Sequence, residues 1–232
     1  MEYFYTPPDR IGPRELLIEG EEFAHLTHVM RHRAGDLLRV ADGRGRTCEV
    51  RIHEIRQREA RCVILRTFHM LHESSRSVTV AAGILKNSSR YDTLVEKCTE
   101  TGVHAFIPLR SARTIPSHAK AERWRMIALA AMKQSGRCVL PEVFPLTGLD
   151  ELLEAVPPAR RRIILHQGTA APLEKGEDAE SVLILVGPEG GFTEEELHRA
   201  EAAGFCSAGL GPRRLRTETA AIVSSALLLT AG

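Results

Sequence analysis

The chain has 232 residues, enough for one large domain or two small ones around cores of ordinary size. With 43% hydrophobic residues and a formal net charge of +1 it reads as globular, and no apolar run or N-terminal hydrophobic stretch suggests a membrane span or signal peptide. Cys48, Cys62, Cys98, Cys138 and Cys206 form no C-x-x-C pair, so reduced thiols in a cytoplasmic protein are expected, with no disulfide framework and no metal site.

Residues 1–70 show short strand-like runs between turns. LLIEG (16–20) is one. EEFAHLTHVMRHRAGD (21–36) reads as a short helix followed by a Gly-Asp turn. DLLRVADGRGRTCEVRIHEI (36–55) reads as a hairpin with Asp42-Gly43 and Arg44-Gly45 in its turn, and EARCVILRTF (59–68) as a further strand. Short strands with little helix predict a small β-barrel over 1–72. The polar run LHESSRSV (71–78) reads as a linker.

From residue 78 the pattern changes to strands alternating with helices. VTVAAGIL (78–85) is continuously apolar, as in a buried parallel strand. YDTLVEKCTETG (91–102) predicts a helix stopped by glycine, HAFIPL (104–109) a strand, and AKAERWRMIALAAMKQSG (119–136) a long amphipathic helix, again stopped by glycine. Met126, Ile127, Leu129, Ala130 and Met132 are expected to pack in the core or at a dimer interface. Trp124 lies on the more polar side, where it would meet another helix or stack on a base. RIILH (162–166), SVLILVG (181–187) and FCSAGLG (205–211) predict three more strands, with helices at 194–203 and 217–230. The second domain, 73–232, is therefore expected to be α/β with a mainly parallel sheet.

Charge follows this division unevenly. Residues 73–140 carry 11 Lys/Arg against 5 Asp/Glu, whereas 141–232 carry 8 against 14. A basic middle segment suits either a phosphate-binding face or a solvated surface.

Three predicted strand exits are unusual: LHQG (165–168), VGPEGG (186–191) and LGPRRLRTET (210–219). In parallel sheets ligands bind at the carboxyl ends of the strands, where the loops diverge. Glycines there let a ligand approach the main chain, and proline stiffens the turn. Thr193 and Glu196 match a capping box, so a helix should start at once, and Thr217 is the expected N-cap of the last helix. No loop has a phosphate-cradling or dinucleotide fingerprint, and Glu189 with the acids after it would oppose a pyrophosphate. A nucleoside with a positive centre fits better, and S-adenosylmethionine is such a ligand.

These residues carry a family resemblance. LILVGPEGGFTEEEL (183–197) followed by GLGPRRLRTETAAI (209–222) resembles the SPOUT superfamily, and within it the bacterial 16S ribosomal RNA uracil-N3 methyltransferases. HLTHVMRHRAGD (25–36), LVEKCTETGV (94–103) and AMKQSGRCVLPEV (131–143) resemble further family segments in the same order. Two places depart from the pattern: Lys133 stands where an acid is expected, and KNSSRYDTLVEK (86–97) has a variant turn.

The resemblance implies a PUA-like, RNA-binding β-barrel followed by a SPOUT-type α/β domain with a deep trefoil knot. It also implies a homodimer in the cytoplasm acting on 16S ribosomal RNA of the small subunit, with S-adenosylmethionine as cofactor. Carried over by residue, the cofactor site comprises Leu165 and His166, then Gly187, Pro188, Glu189, Gly190 and Gly191, then Leu210, Gly211, Leu215, Arg216, Thr217 and Thr219. Arg216 and Glu218 are the catalytic candidates, Glu218 standing equally well as a base or as a charge at the N-terminus of the last helix. Arg31, Arg33, Arg90, Gln134, Arg137, Arg213 and Arg214 are the candidate RNA contacts. A ribose 2′-O methyltransferase of the same superfamily and a non-catalytic RNA-binding dimer are the rival readings. If the basic segment serves RNA, affinity measured by filter binding should fall steeply with salt through counterion release. A flat salt response would make the segment a solvated surface.

Overall fold

The computed structural model describes residues 2–174 and 181–229. They form two compact units, Met1–Glu73 with Met132–Leu140 and Ser74–Ala131 with the chain from Pro141 onward. The sequence suggested a single division at 72/73; in the structure a second segment, 132–140, packs with the first unit.

The first unit is a five-stranded sheet of β1 (Tyr3–Tyr5), β2 (Glu15–Glu19), β3 (Leu37–Ala41), β4 (Arg46–Ile55) and β5 (Glu59–His69), in the order β1-β3-β4-β5-β2. β1 lies parallel to β3 and the other pairs are antiparallel. Alternating residues of these strands bury Leu16, Ile18, Leu38, Val40, Val50 and Ile52 in one core. The β3–β4 turn falls where Asp42-Gly43 and Arg44-Gly45 suggested. Its cause is visible: the buried Asp42 carboxylate accepts from the Arg44 and Arg46 amides at 2.7 and 3.0 Å, while both glycines have positive φ. The short helix expected at the start of 21–36 is α1 (Gly20–Ala24), which passes into a π-helical stretch at His25–Val29, and a turn follows at 34–35.

Segment 132–140 is held to this unit by backbone bonds to the β3–β4 turn and by a buried carboxylate. Glu73 accepts Arg137 Nη2 at 2.8 Å and Nε at 3.1 Å, and the amides of Cys138 and Val139 at 2.8 and 2.9 Å. Both side chains of the pair are only 4% exposed. Arg137 is thus interior, which corrects its expected place on an RNA-facing surface. Lys133, the residue that departs from the family pattern, pairs with Glu22; an acid there would face another acid.

The second unit is a parallel sheet of β6 (Ser77–Gly83), β7 (Ala105–Arg110), β8 (Glu142–Val143), β9 (Thr147–Gly148), β10 (Arg161–Leu165), β11 (Ser181–Val186) and β12 (Cys206–Ala208). The order is β12-β10-β11-β6-β7-β8, with β9 also on β7. Its helices are α2 (Ser88–Thr101), α3 (Ala121–Ser135), α4 (Leu149–Glu154), α5 (Glu194–Ala202) and α6 (Thr217–Leu229). α4 and α5 cover one face, where Leu149, Leu152, Leu197 and Ala200 join Ile107, Ile164, Leu183 and Leu185. α6 packs against α2, β6 and β11. The chain therefore leaves the sheet at the β12 edge and returns to its middle, the re-threaded path that a SPOUT-type fold implies.

α3 buries Trp124, Ala128, Ala131 and Met132, spaced four, three and one residues apart along one face. Met132 is thus in the core, whereas Met126 is exposed, which leaves it only the other expected role, packing against a second copy. The Trp124 ring lies 4.1 Å from that of Tyr91 on α2, and its Nε1–H donates to Asp92 at 3.1 Å. The indole is committed to a helix–helix contact and cannot stack on a base.

The buried thiols are held in their protonated form. Burial pushes the Cys62 and Cys98 thiols up to about 12, and burial together with the Glu73 charge pushes Cys138 up to about 11. No described helix is long and apolar enough to cross a membrane.

Glu73→Ala should destabilise the protein by about 3–5 kcal/mol, because the buried Arg137 charge then loses the carboxylate that neutralises it. Urea unfolding checks this, and an unchanged midpoint would mean that Arg137 finds water instead. Replacing both residues, as Glu73→Leu with Arg137→Met, should recover much of the loss.

Candidate active site

A cleft of about 240 Å³ opens at the carboxyl end of the parallel sheet. Three strand exits wall it. Leu165, His166 and Gln167 follow β10; Val186 to Phe192 follow β11; Ala208, Leu210, Gly211, Arg213, Arg214 and Leu215 follow β12. Thr217 and Ala220 of α6 and Arg113 of the β7–α3 loop complete it.

The glycines of the middle loop are required by contacts. A Cβ on Gly187 would lie 3.0 Å from Gly191 Cα, and one on Gly190 would lie 3.1 Å from Arg113 Cβ and Cδ. Gly191 has φ +67, a left-handed conformation that other residues resist. The loop is short because α5 begins at once, through the expected capping box. Thr193 Oγ1 accepts from Glu196 N at 3.1 Å and Glu196 Oε2 accepts from Thr193 N at 2.8 Å. The same buried carboxylate takes Ala112 N at 2.7 Å, tying the β7 exit to the β11 exit.

Thr217 acts differently from expectation. It is the first residue of α6, and its hydroxyl donates to the Gly187 carbonyl at 2.9 Å. The first helical bond runs from Ala220 N to Arg216 O. So the final loop is pinned to the glycine loop through a side chain that the sequence suggested for capping.

Of the expected cofactor residues, Leu165, His166, Gly187, Pro188, Glu189, Gly190, Gly191, Leu210, Gly211, Leu215 and Thr217 line this one cleft; Arg216 and Thr219 do not. Arg216 is exposed beside the cleft, because the adjacent Thr217 turns inward. Arg213 and Arg214 are exposed and also line it. Arg31, Arg33 and Gln134 are exposed on the first unit.

Arg113 went unrecognised in the sequence. Its Nη1 donates to Gly190 O at 2.7 Å and to Phe192 O at 3.1 Å, so it braces the glycine loop from outside. The strand HAFIPL was legible, but that its exit lies at the same end of the sheet as the β11 exit follows only from the pairing of β7 with β6.

Charge is arranged around two carboxylates. Arg90 Nε and Nη2 donate to Glu218 Oε1 and Oε2 at 2.9 and 2.6 Å, and Arg90 Nη1 donates to Glu189 Oε1 at 3.3 Å. Burial pushes the Glu218 carboxyl up, but hydrogen bonds from Arg90 and its own amide, with the charges of Arg90 and Arg216, hold it below the usual carboxylate range. A carboxylate gripped by a guanidinium fork is a poor proton acceptor. Its geometry supports the second role considered for it, a charge at the positive end of α6. Arg90, expected at RNA, is committed to these two acids.

Residues 72–229 match the family model described as an RNA methyltransferase domain, and residues 18–65 match an RNA methyltransferase PUA domain. The chain is 31% identical to ribosomal RNA small subunit methyltransferase E of Bacillus subtilis (strain 168), over 88% of this chain and 85% of that one. It is 30% identical to the protein of the same name from Aquifex aeolicus (strain VF5), over 99% of each. Among solved structures it is similar to a ribosomal RNA small subunit methyltransferase E from Neisseria gonorrhoeae bound to S-adenosyl methionine, with a TM-score of 0.87 and 32% identity, covering 97% of this chain and 95% of that one. A putative methyltransferase from Legionella pneumophila in complex with the same cofactor superposes with a TM-score of 0.85 at 27% identity, covering 99% and 97%. With its methyltransferase unit matched almost end to end and its strand exits gathered into one cleft, this chain belongs to the RNA methyltransferase family of the ribosomal RNA small subunit methyltransferases E.

Proposed function

We propose that the protein uses S-adenosylmethionine to methylate N3 of a specific uridine in 16S ribosomal RNA of the small subunit. One observation carries this reading: the exits of β10, β11 and β12 converge on a single cleft whose middle wall is bare main chain. Backbone N–H and C=O groups can read an adenine edge there, and Glu189 supplies the one negative charge on the wall among the described residues, to tolerate a sulfonium. When bound, S-adenosylmethionine supplies an electrophilic methyl group. The chain's own work is to hold the uracil beside it and to meet the charge that develops on the ring oxygens as the N3 proton leaves. Arg213, Arg214 and Arg216 are grouped at the cleft for that purpose and for gripping phosphate. Of the proton acceptors on the cleft wall among the described residues, Glu189 already accepts from Lys86 N at 3.2 Å and from Arg90, and His166 is the other candidate.

A cytoplasmic homodimer completes the reading. Ile115, Met126 and Leu227 are large apolar side chains exposed on the second unit, and an interface would cover them. The direct test is nucleoside analysis of 16S ribosomal RNA, free and within small subunits, after incubation with purified protein and methyl-labelled cofactor. Label in 3-methyluridine is expected. Label in 2′-O-methyl nucleosides would assign the rival chemistry, and no label would leave an RNA-binding dimer.

Two substitutions test the parts. Gly190→Leu should abolish cofactor binding measured by calorimetry, because its side chain meets Arg113 and forces the loop into the cleft. Unchanged affinity in the folded variant would move the cofactor elsewhere. Arg216→Ala should slow turnover at saturating RNA and cofactor by about a hundredfold, with little change in either affinity, if this guanidinium meets the ring charge. Arg216→Lys should restore part, lacking the fork. If RNA affinity falls while saturated turnover persists, Arg216 holds phosphate and the charge-stabilising role passes to Arg213 or Arg214.

A further inference from the structure

We propose that Arg90 is a positioning residue that holds the cofactor cleft closed at its base, by clamping the start of α6 to the glycine loop through Glu218 and Glu189. The proposal rests on the cleft being the cofactor site and assigns a role to a side chain outside its wall. Arg90 does not line the cleft. Its guanidinium nonetheless touches two of the segments that build it, three donors going to two carboxylates.

The mounting of Arg90 is rigid. It sits in the first turn of α2, whose N-cap Asn87 accepts from Ser89 N at 3.0 Å. The next residue, Tyr91, is buried under Trp124, and Asp92 is held by Arg123 at 2.8 Å and by the Trp124 indole. Glu218 is similarly fixed, one residue after the Thr217 hydroxyl that reaches Gly187. Glu189 is the softer partner: its Oε1 takes Lys86 N and Arg90 Nη1 at 3.2 and 3.3 Å. The fork therefore anchors at α6 and reaches toward the loop.

Electrostatics explains why the clamp matters. Glu189 and Glu218 both lie within reach of one guanidinium, so without Arg90 two carboxylates would be left close together beside the cleft. Arg216 is the other cation acting on Glu218, and it is exposed. Like charges repel, and Glu189 stands on the loop that walls the cofactor cleft. The same engagement accounts for the variant turn at 86–90: it delivers Lys86 N and the Arg90 side chain to Glu189 together.

The test compares cofactor binding, RNA binding and turnover in the full-length protein. Arg90→Ala should weaken S-adenosylmethionine by about tenfold or more, as expected for losing charged hydrogen bonds, and raise its KM in proportion. The kcat at saturating cofactor should stay within about threefold, since the contact is not made in the transition state alone. RNA affinity and its salt slope should not change. Arg90→Lys should restore part of the affinity. Adding Glu218→Gln to Arg90→Ala should also restore part, because the repulsion with Glu189 is then removed. A merely structural residue would show neither recovery. If Arg90→Ala fails to fold, Arg90→Lys and the Arg90→Ala/Glu218→Gln pair decide the same question by their cofactor affinities. Lost RNA affinity with intact cofactor binding would overturn the proposal and return Arg90 to the RNA surface. A lower kcat with unchanged KM would also overturn it. If the wild-type protein itself binds no S-adenosylmethionine, the reading of the cleft fails; if the wild type binds and Arg90→Ala binds equally well, only the clamp fails.

Discussion

A side-chain carbon on Gly83 would lie 2.5 Å from the backbone nitrogen of Pro188. The end of β6 and the exit of β11 are thus in main-chain contact, and most of the second unit follows from that closeness. β11 can run along the whole of β6, from Ser181 opposite Ser77 to Val186 opposite Ala82. Once past Gly83 the chain has to turn, and Gly187, Pro188, Gly190 and Gly191 turn it within five residues before α5 begins. The turn exposes the Gly187 carbonyl, and the Thr217 hydroxyl finds it. That bond sets where α6 starts and brings the loop after β12 over the cleft. A bulkier pair of residues at the crossing would separate the loops that the site needs together.

The arginines sort by whether a carboxylate is within reach. Arg137 is drawn inside by Glu73, and Arg90 is drawn into a shared grip on Glu189 and Glu218. Arg123 and Arg125 pair with Asp92 and Glu122. The basic middle segment is therefore largely compensated. The exposed positive charge at the cleft comes from Arg113 of that segment and from Arg213 and Arg214, which lie in the formally acidic last third. Net charge by segment was a poor guide here because ion pairs join residues far apart in sequence, 128 positions in the case of Arg90 and Glu218.

Rigidity and access are divided between two kinds of structure. The sheet and its flanking helices are apolar and continuous, with Leu183, Leu185, Ile164 and Phe205 in one cluster. The cleft stands on the edge of that layer, where the backbone groups of the loops are not used up by the sheet. Arg113, Glu196, Thr217 and Arg90 each spend polar side-chain atoms on fixing those loops. Such a site is held from outside by residues that need not touch what it binds.

The sequence by itself determined the elements and the material of the site. Apolar runs of strand length between glycines placed β6, β7, β10 and β11 within a few residues. The Thr193–Glu196 box started α5 where its chemistry requires, and the three glycine-bearing exits supplied most of the cleft wall. These features are local, so neighbouring residues reveal them. The two-residue strands β8 and β9 and the six-residue α4 were not legible, because they are too short to show a period. Only the tertiary structure decided the partners. Arg137 and Arg90 look like surface cations until Glu73, Glu189 and Glu218 are seen beside them; Trp124 looks available until Tyr91 covers it; and Thr217 looks like a cap until Gly187 stands opposite. In each case a side chain capable of two roles is assigned one by a group distant in sequence, and that distance is what folding removes.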